Sequence, residues 1–286
     1  MESTHQRSPL HGRLSVSAVS SWRQSFDDDL AMWERLGVDQ VGLSLRKCEE
    51  IGLEAAVQRV REAGLRVSNV VECGWCEPAN ELTWRPYRER MLAAIEAMRA
   101  VGAPVLVLTT GPAGPLEWDD AALALGAALE PVIAAASAAS VRVAIENTSP
   151  MRLDLSFATT LRDTIDLAAQ LDASVCLELN SCWAERDFDA TVARAGQRIT
   201  HVQCSDARTG SLTTPDRLVP GDGDIPLARR IGALARAGYS GAFEIEMVGP
   251  RIEAEGYEPA IRRAVGRLDE LLAGEPRFEH RRQAPE

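Results

Sequence analysis

Eight short β-branched runs alternate with eight longer amphipathic segments between residues 13 and 273. Strands are expected near 13–18, 39–45, 66–72, 104–109, 141–146, 174–179, 199–204 and 242–247. Helices are expected near 26–36, 52–64, 83–101, 118–139, 156–171, 187–196, 224–237 and 257–273. Strand followed by helix, repeated, is the pattern of βα units on a parallel sheet. Eight such units make a closed (β/α)8 barrel the economical solution. An open doubly wound sheet would carry a Gly-x-Gly-x-x-Gly turn after its first strand, and none is present. The 286 residues suit this reading, because one such barrel takes about 250 residues. A single domain is therefore expected over 13–273, flanked by disordered tails at 1–12 and 274–286 that are polar and lack periodicity.

Punctuation supports the count. Gly37, Gly64, Gly102 and Gly238 each stand between a helical segment and the next strand, where a helix C-cap glycine belongs. Asp27, Asp28 and Asp29 fall in a first helical turn, where the helix dipole favours acids. The most apolar stretch, 121–139, is broken by Glu130-Pro131 and reads as a barrel helix rather than a membrane span.

Composition narrows the function. A net charge of -11 argues against nucleic acid, whose binding rests on basic surface. Residues 1–10 lack the apolar segment of a secretion signal, so a cytoplasmic location and six reduced cysteines are expected. Cys73-Gly74-Trp75-Cys76 is a lone CxxC without a second pair at zinc-finger spacing. The expected partner is a small molecule, with neither nucleic acid nor membrane; a homodimer is left open.

The chemistry lies at strand ends. Glu146 closes Val141–Ile145, Glu178 follows Val175–Leu177, Gln203 follows Ile199–Val202 and Glu246 follows Ala242–Ile245. In barrels of this type the working residues sit at the carboxyl ends of strands. Three carboxylates and an amide on four consecutive strands form a ring of oxygen ligands suited to a hard divalent cation. The bland reading of any one such glutamate is a solvated or capping residue. Four in a row are harder to obtain by chance, and close carboxylates would repel and titrate upward without a cation. Further candidates for substrate contact are Asn147, Asp206, Arg208 and His201, with Lys47 at the end of the second strand. Trp22, Trp75 and Trp183 (with Trp118) fall on the same side and suit a wall for a sugar ring or a larger apolar substrate. Glu72, ending the third strand, is a candidate for polar lining.

Several segments resemble the xylose isomerase-like TIM barrels, whose members include D-tagatose 3-epimerase and inosose dehydratase. They are Ala144–Asn147, Val175–Trp183, His201–Asp206, Val219–Pro226 and Gly238–Glu246. The resemblance covers roughly residues 13–273. In the epimerase-like members the metal ligands are Glu, Asp, His and Glu. The resemblance places these on Glu146, Glu178, Gln203 and Glu246, so the Asp has become Glu and the His has become Gln. It implies one divalent ion, with Mn²⁺ or Mg²⁺ ahead of Co²⁺ because the nitrogen ligand is gone. His201, one layer deeper on the same strand face, is expected to support the ligands, with ligation in place of Gln203 as the alternative. The family's Asp-x-x-His becomes Glu178-x-x-Ser181. A nuclease like endonuclease IV needs many histidines, and three of the four here lie in the flanking segments.

The resemblance further implies that Glu146 and Glu246 transfer protons on opposite faces of a hydroxyketone held by the metal as an enediolate. The expected activity is therefore isomerisation or epimerisation of a sugar or sugar-like hydroxyketone. A metal-dependent dehydratase or other β-eliminating lyase, acting on a sugar, polyol ketone or glycosylated natural product, shares the first step and is the alternative. A non-catalytic ligand-binding barrel is the alternative from another class.

Overall fold

The computed structural model describes residues 9–281. In chain order the elements are β1 (Leu14–Ser17), α1 (Phe26–Leu36), β2 (Gln40–Ser44), α2 (Leu45–Ile51), α3 (Leu53–Glu62), β3 (Arg66–Glu72), α4 (Glu81–Val101), β4 (Val105–Leu108), α5 (Trp118–Ala138), β5 (Arg142–Glu146), α6 (Leu161–Gln170), β6 (Ser174–Glu178), α7 (Leu179–Cys182), α8 (Phe188–Ala195), β7 (Ile199–Cys204), α9 (Leu227–Arg236), β8 (Phe243–Ile245), α10 (Pro250–Glu255) and α11 (Tyr257–Ala273). All strand pairs are parallel and β8 closes on β1, giving the expected (β/α)8 barrel.

Local chemistry sets the boundaries. Ser25 and Asp28 form a reciprocal capping box at the start of α1. Gly37 ends that helix at φ +70°, a left-handed conformation that costs a β-carbon-bearing residue energy. Thr160 caps α6 by accepting from Asp163 N, so this helix starts five residues later than its periodicity suggests. Three short helices, α2, α7 and α10, start at or within a few residues of the ends of β2, β6 and β8 and were not legible as periodic segments.

Side chains of the strands sort by parity. Ile145, Leu177, Val202 and Phe243 alternate with the inward residues and join the large core against the helices, with Trp33, Trp84 and Met91. Val71, Val105, Val107, Ala144 and Cys176 form a separate apolar cluster inside the barrel on the β3–β6 side. The opposite side of the interior is polar: Ser15, Ser68, Asn69, His201 and Glu244 are all buried there. Gly42 is required by this layer. A β-carbon there would stand 1.7 Å from Glu244 Oε1 and 2.4 Å from Asn69 Oδ1.

The flanking segments differ from expectation within the described residues. Pro276–Arg281 forms a 3-10 helix, and Phe278 is buried against Phe243 with ring centroids 5.5 Å apart. His11 N donates to Asp269 Oδ1. An aromatic side chain and a paired backbone amide anchor these ends to the barrel, which polar composition alone concealed. The rest of the expected tails, 1–8 and 282–286, lies outside the described residues.

Candidate active site

The inward positions at the carboxyl ends of β5–β8 bring Glu146, Glu178, Gln203 and Glu246 together. Glu178 and Gln203 are direct partners in the β6–β7 register. Glu178 and Gln203 are fully buried, and Glu146 and Glu246 nearly so. Gln203 Nε2 donates to Glu246 Oε2 at 2.6 Å. Gln203 Oε1 is buried without a hydrogen-bond partner. An orphaned buried amide oxygen costs about 1–3 kcal/mol, so a group that would accept its lone pair is favoured there.

Arg217 completes the cluster, and nothing in the sequence pattern pointed to it. It sits in the loop between β7 and α9, with its backbone N–H bonded to Val248 O. Its Nη1 donates to Glu178 Oε2, to Glu246 Oε1 at 3.1 Å and to Glu246 O at 3.2 Å. One guanidinium thus pairs with two carboxylates of the ring, and Glu146 is left without an ion pair among the described residues. The Glu146 carboxyl is pushed up to about 7, first by burial and then by the neighbouring Glu178 carboxylate. Burial also raises Glu178 and raises Glu246 well above the ordinary range, in spite of Arg217. Cys73, just past β3, has its thiol pushed up by burial and by the Glu146 and Glu246 carboxylates.

The remaining candidates divide. Asn147 bridges β5 to β6: its Nδ2 donates to Glu178 O and its Oδ1 accepts from Glu178 N. It holds the backbone of Glu178 rather than facing a ligand. Asp206 accepts from the backbone N–H groups of Ala207, Gly221, Gly223 and Ile225, so its carboxylate organises the loop after β7. His201 lies one layer below Gln203 and bonds Glu244 Oε2 at 3.0 Å, away from the ring. Lys47 does not line the site. Its Nζ is buried against Asp29 and Ser21 O, because α2 follows β2 without a loop and turns it inward. Glu72 points to the helix layer, where Arg90 pairs it with Glu49.

Above the ring opens a cavity of about 330 Å³. Glu146, Arg217, Arg208, Asn180, Ser181 and Trp183 are among its lining residues. Trp75 lies outside that lining, stacked against the Arg152 guanidinium at 5.5 Å. Trp22 bonds Glu253 through Nε1 and is also not among the lining residues. Trp118 packs edge-on against Phe157.

A closed parallel barrel with an acidic ring at the carboxyl ends of its last four strands defines a (β/α)8 protein whose site opens on the usual working face. The sequence model of the xylose isomerase-like TIM barrel family matches residues 30–271, and the chain belongs to that family. Among solved structures, a protein from Sinorhizobium meliloti 1021 superposes with a TM-score of 0.81 at 24% identity, covering 91% of this chain and 98% of its own. The IOLI protein, solved with a zinc atom, gives 0.79 at 17% identity over 92% and 99%. D-Psicose 3-epimerase from Clostridium cellulolyticum H10, solved with D-tagatose, gives 0.72 at 16% identity over 91% and 98%. At these identities the likeness is one of fold. No curated protein sequence matches the chain.

The ring's fit to a divalent cation can be judged from its own atoms. The donors are hard oxygens, the Gln203 oxygen is unpartnered, and one cation is set against three carboxylates. That set suits Mg²⁺ or Mn²⁺. The carboxylates of Glu178 and Glu246 are closed around Arg217, and among the described residues no three His, Cys, Asp or Glu side chains are already arranged about one point for a metal. The donors fit, on condition that the guanidinium moves.

Proposed function

We propose that this protein is a divalent-cation-dependent isomerase or epimerase of a sugar or sugar-like hydroxyketone. The observation that carries the reading is the charge imbalance at the base of the cavity: three buried glutamates and an orphaned amide oxygen against one guanidinium. A structure tolerates such an imbalance where a further positive group is to be bound, since uncompensated buried charge is costly. Glu146, Glu178, Glu246 and Gln203 through Oε1 would hold the ion. When bound, it would neutralise the ring and polarise a substrate carbonyl.

The proton chemistry belongs to Glu146 and Glu246. In the cation-free ring burial pushes the Glu146 carboxyl up to about 7, and a bound cation would bring it back toward the ionised form that a general base needs. In the proposed reaction one of the two glutamates removes the proton from the carbon beside the carbonyl, leaving an enediolate. The other returns a proton, on the opposite face for epimerisation or at the neighbouring carbon for isomerisation. Asn147 keeps Glu178 in place by two backbone hydrogen bonds, and Ser17 Oγ contacts Glu246 Oε2 at 3.5 Å. The hydroxyl- and amide-bearing lining, with Ser181, Thr209 and Asn180, suits a polyhydroxylated ligand. The psicose 3-epimerase and L-ribulose 3-epimerase among the structural relatives are consistent with this class.

The test is proton exchange. With Mn²⁺ present, a panel of ketoses incubated in D₂O should gain deuterium beside the carbonyl without change in carbon skeleton. Loss of water from the substrate would instead identify a lyase. No exchange and no metal uptake would return the protein to a binding role.

A further inference from the structure

Arg217 already stands where the carboxylates of β6 and β8 converge. Its Nη1 engages the Glu178 carboxylate and the Glu246 Oε1, and its side chain is only 16% exposed. We propose that Arg217 is a resident counter-ion that competes with a divalent cation for Glu178 and Glu246, so that cation loading drives the guanidinium out into the cavity. The proposal rests on the reading that the ring takes a divalent cation.

Three observations carry it. The first is shared acceptors. The carboxylate oxygens that receive Arg217 are those a cation would need, and two positive groups a few ångströms apart in a buried site repel strongly. The second is incomplete satisfaction. Arg217 leaves Gln203 Oε1 unpartnered and Glu146 without ion pairing, so the ring retains a demand for positive charge. The third is a place to go. Arg217 lines the cavity, and so does Asp216, whose Oδ1 is buried without a hydrogen-bond partner while Oδ2 pairs with Arg251. That free carboxylate oxygen is an acceptor for the withdrawn guanidinium. The main chain need not move, since the amide of Arg217 stays tied to Val248 O.

The competition has a consequence for selectivity. A monovalent cation gains little by displacing a guanidinium that already matches its charge. A divalent ion brings twice the charge and can also take the Gln203 oxygen, which Arg217, committed to Glu178 and Glu246, leaves without a partner.

The experiment is a titration of chelator-treated full-length protein with Mn²⁺ by calorimetry, comparing wild type, Arg217→Met and Arg217→Lys. Arg217→Met should bind Mn²⁺ at least about tenfold more tightly than wild type, the equivalent of one decade in the binding constant. Arg217→Lys should fall between. A measurement on wild type alone stands beside it. Phenylglyoxal should label Arg217 several-fold faster once Mn²⁺ is added, and that label should be followed by mass spectrometry. Uptake by Arg217→Met alone would support the competition in its strongest form. Equal or weaker binding by Arg217→Met, with labelling of Arg217 unchanged, would overturn the competition and leave the metal reading standing. Failure of wild type and both variants to take up Mn²⁺ would overturn both. Should Arg217→Met not fold, the labelling of wild type decides.

Discussion

Two buried charge clusters in this barrel look alike in composition and differ in balance. Beside β2, Lys47 and Asp29 form a pair of one positive and one negative group, both fully buried. Every polar atom there is used: Lys47 Nζ on Asp29 Oδ2 and Ser21 O, Asp29 Oδ1 on Ser21 Oγ. At the ends of β5–β8, one guanidinium pairs with two of three buried carboxylates, and Glu146 and an amide oxygen are left over. The first cluster has nothing to gain from a ligand. The second does, and it lies at the base of a cavity. Burial with matched charge reads as architecture, and burial with unmatched charge reads as a site.

The largest effect expected from this contrast is on turnover. Glu146→Gln or Glu246→Gln should reduce proton exchange by about 10³-fold, within the range for loss of a general acid–base group. Glu146→Gln should not lower the unfolding free energy, because it removes a buried carboxylate that has no ion-pair partner, whereas Glu246→Gln also breaks the pair with Arg217. A substantial loss of stability in Glu146→Gln would mean the ring is structural after all, and denaturant melts beside the exchange assay decide it.

Lys47→Met should behave in the opposite way. It strands Asp29 in a fully buried position, and breaking such a pair costs about 3–5 kcal/mol. Adding Asp29→Asn should recover much of that loss, and exchange activity per folded molecule should stay near wild type. A large activity loss in the well-folded double variant would place Lys47 in the reaction and break the contrast.

Gly42→Ala probes the layer between the two clusters. A β-carbon 1.7 Å from Glu244 Oε1 has to displace the Glu244–Asn69–His201 network. Overpacking of this kind costs about 1–3 kcal/mol. Thermal melts should show it, with Gly42→Ser no milder.

The smallest effect is on pH dependence. The Glu146 carboxyl titrates at about 7 in the fold against an ordinary 4.5, so the folded state holds a proton the unfolded chain has lost. Stability from this group is fully present below the ordinary value and is lost as pH rises through about 7. Chelator-treated protein should therefore lose stability between those limits. Glu146→Gln should flatten that part of the profile, and Mn²⁺ should restore stability at the alkaline end. A profile identical in wild type and Glu146→Gln would remove Glu146 from the unbalanced set.

Much of this was legible in residue order. The eight strands and their parity followed from alternation, because side chains on a strand change face at every residue. The ring residues followed from position and parity, since an inward-facing polar residue at the end of a barrel strand opens on the mouth; Glu72 also closes a strand but has the other parity and points to the helix layer. Other roles were not legible. Asn147, Asp206 and Lys47 are polar residues at or near strand ends, as ligands are, yet each is consumed by protein partners: the backbone of Glu178, the amides of 221–225, and Asp29. Which acceptor a polar side chain meets is a matter of three-dimensional neighbours, which spacing does not encode. Trp22 and Trp75 similarly fell on the working face and yet engage Glu253 and Arg152 from other segments instead of lining the cavity.

The order of residues by itself determined the barrel and the strand-end positions of the four ring side chains, because periodicity and strand-end position are local properties; the family came from the resemblance of its motifs. Only the tertiary structure decided the charge of the site. Arg217 comes from an irregular loop that carries no period, and it reaches Glu178 across 39 residues and Glu246 across 29. A guanidinium finds its carboxylates through space, by long-range attraction and shared burial. No pattern along the chain records that meeting.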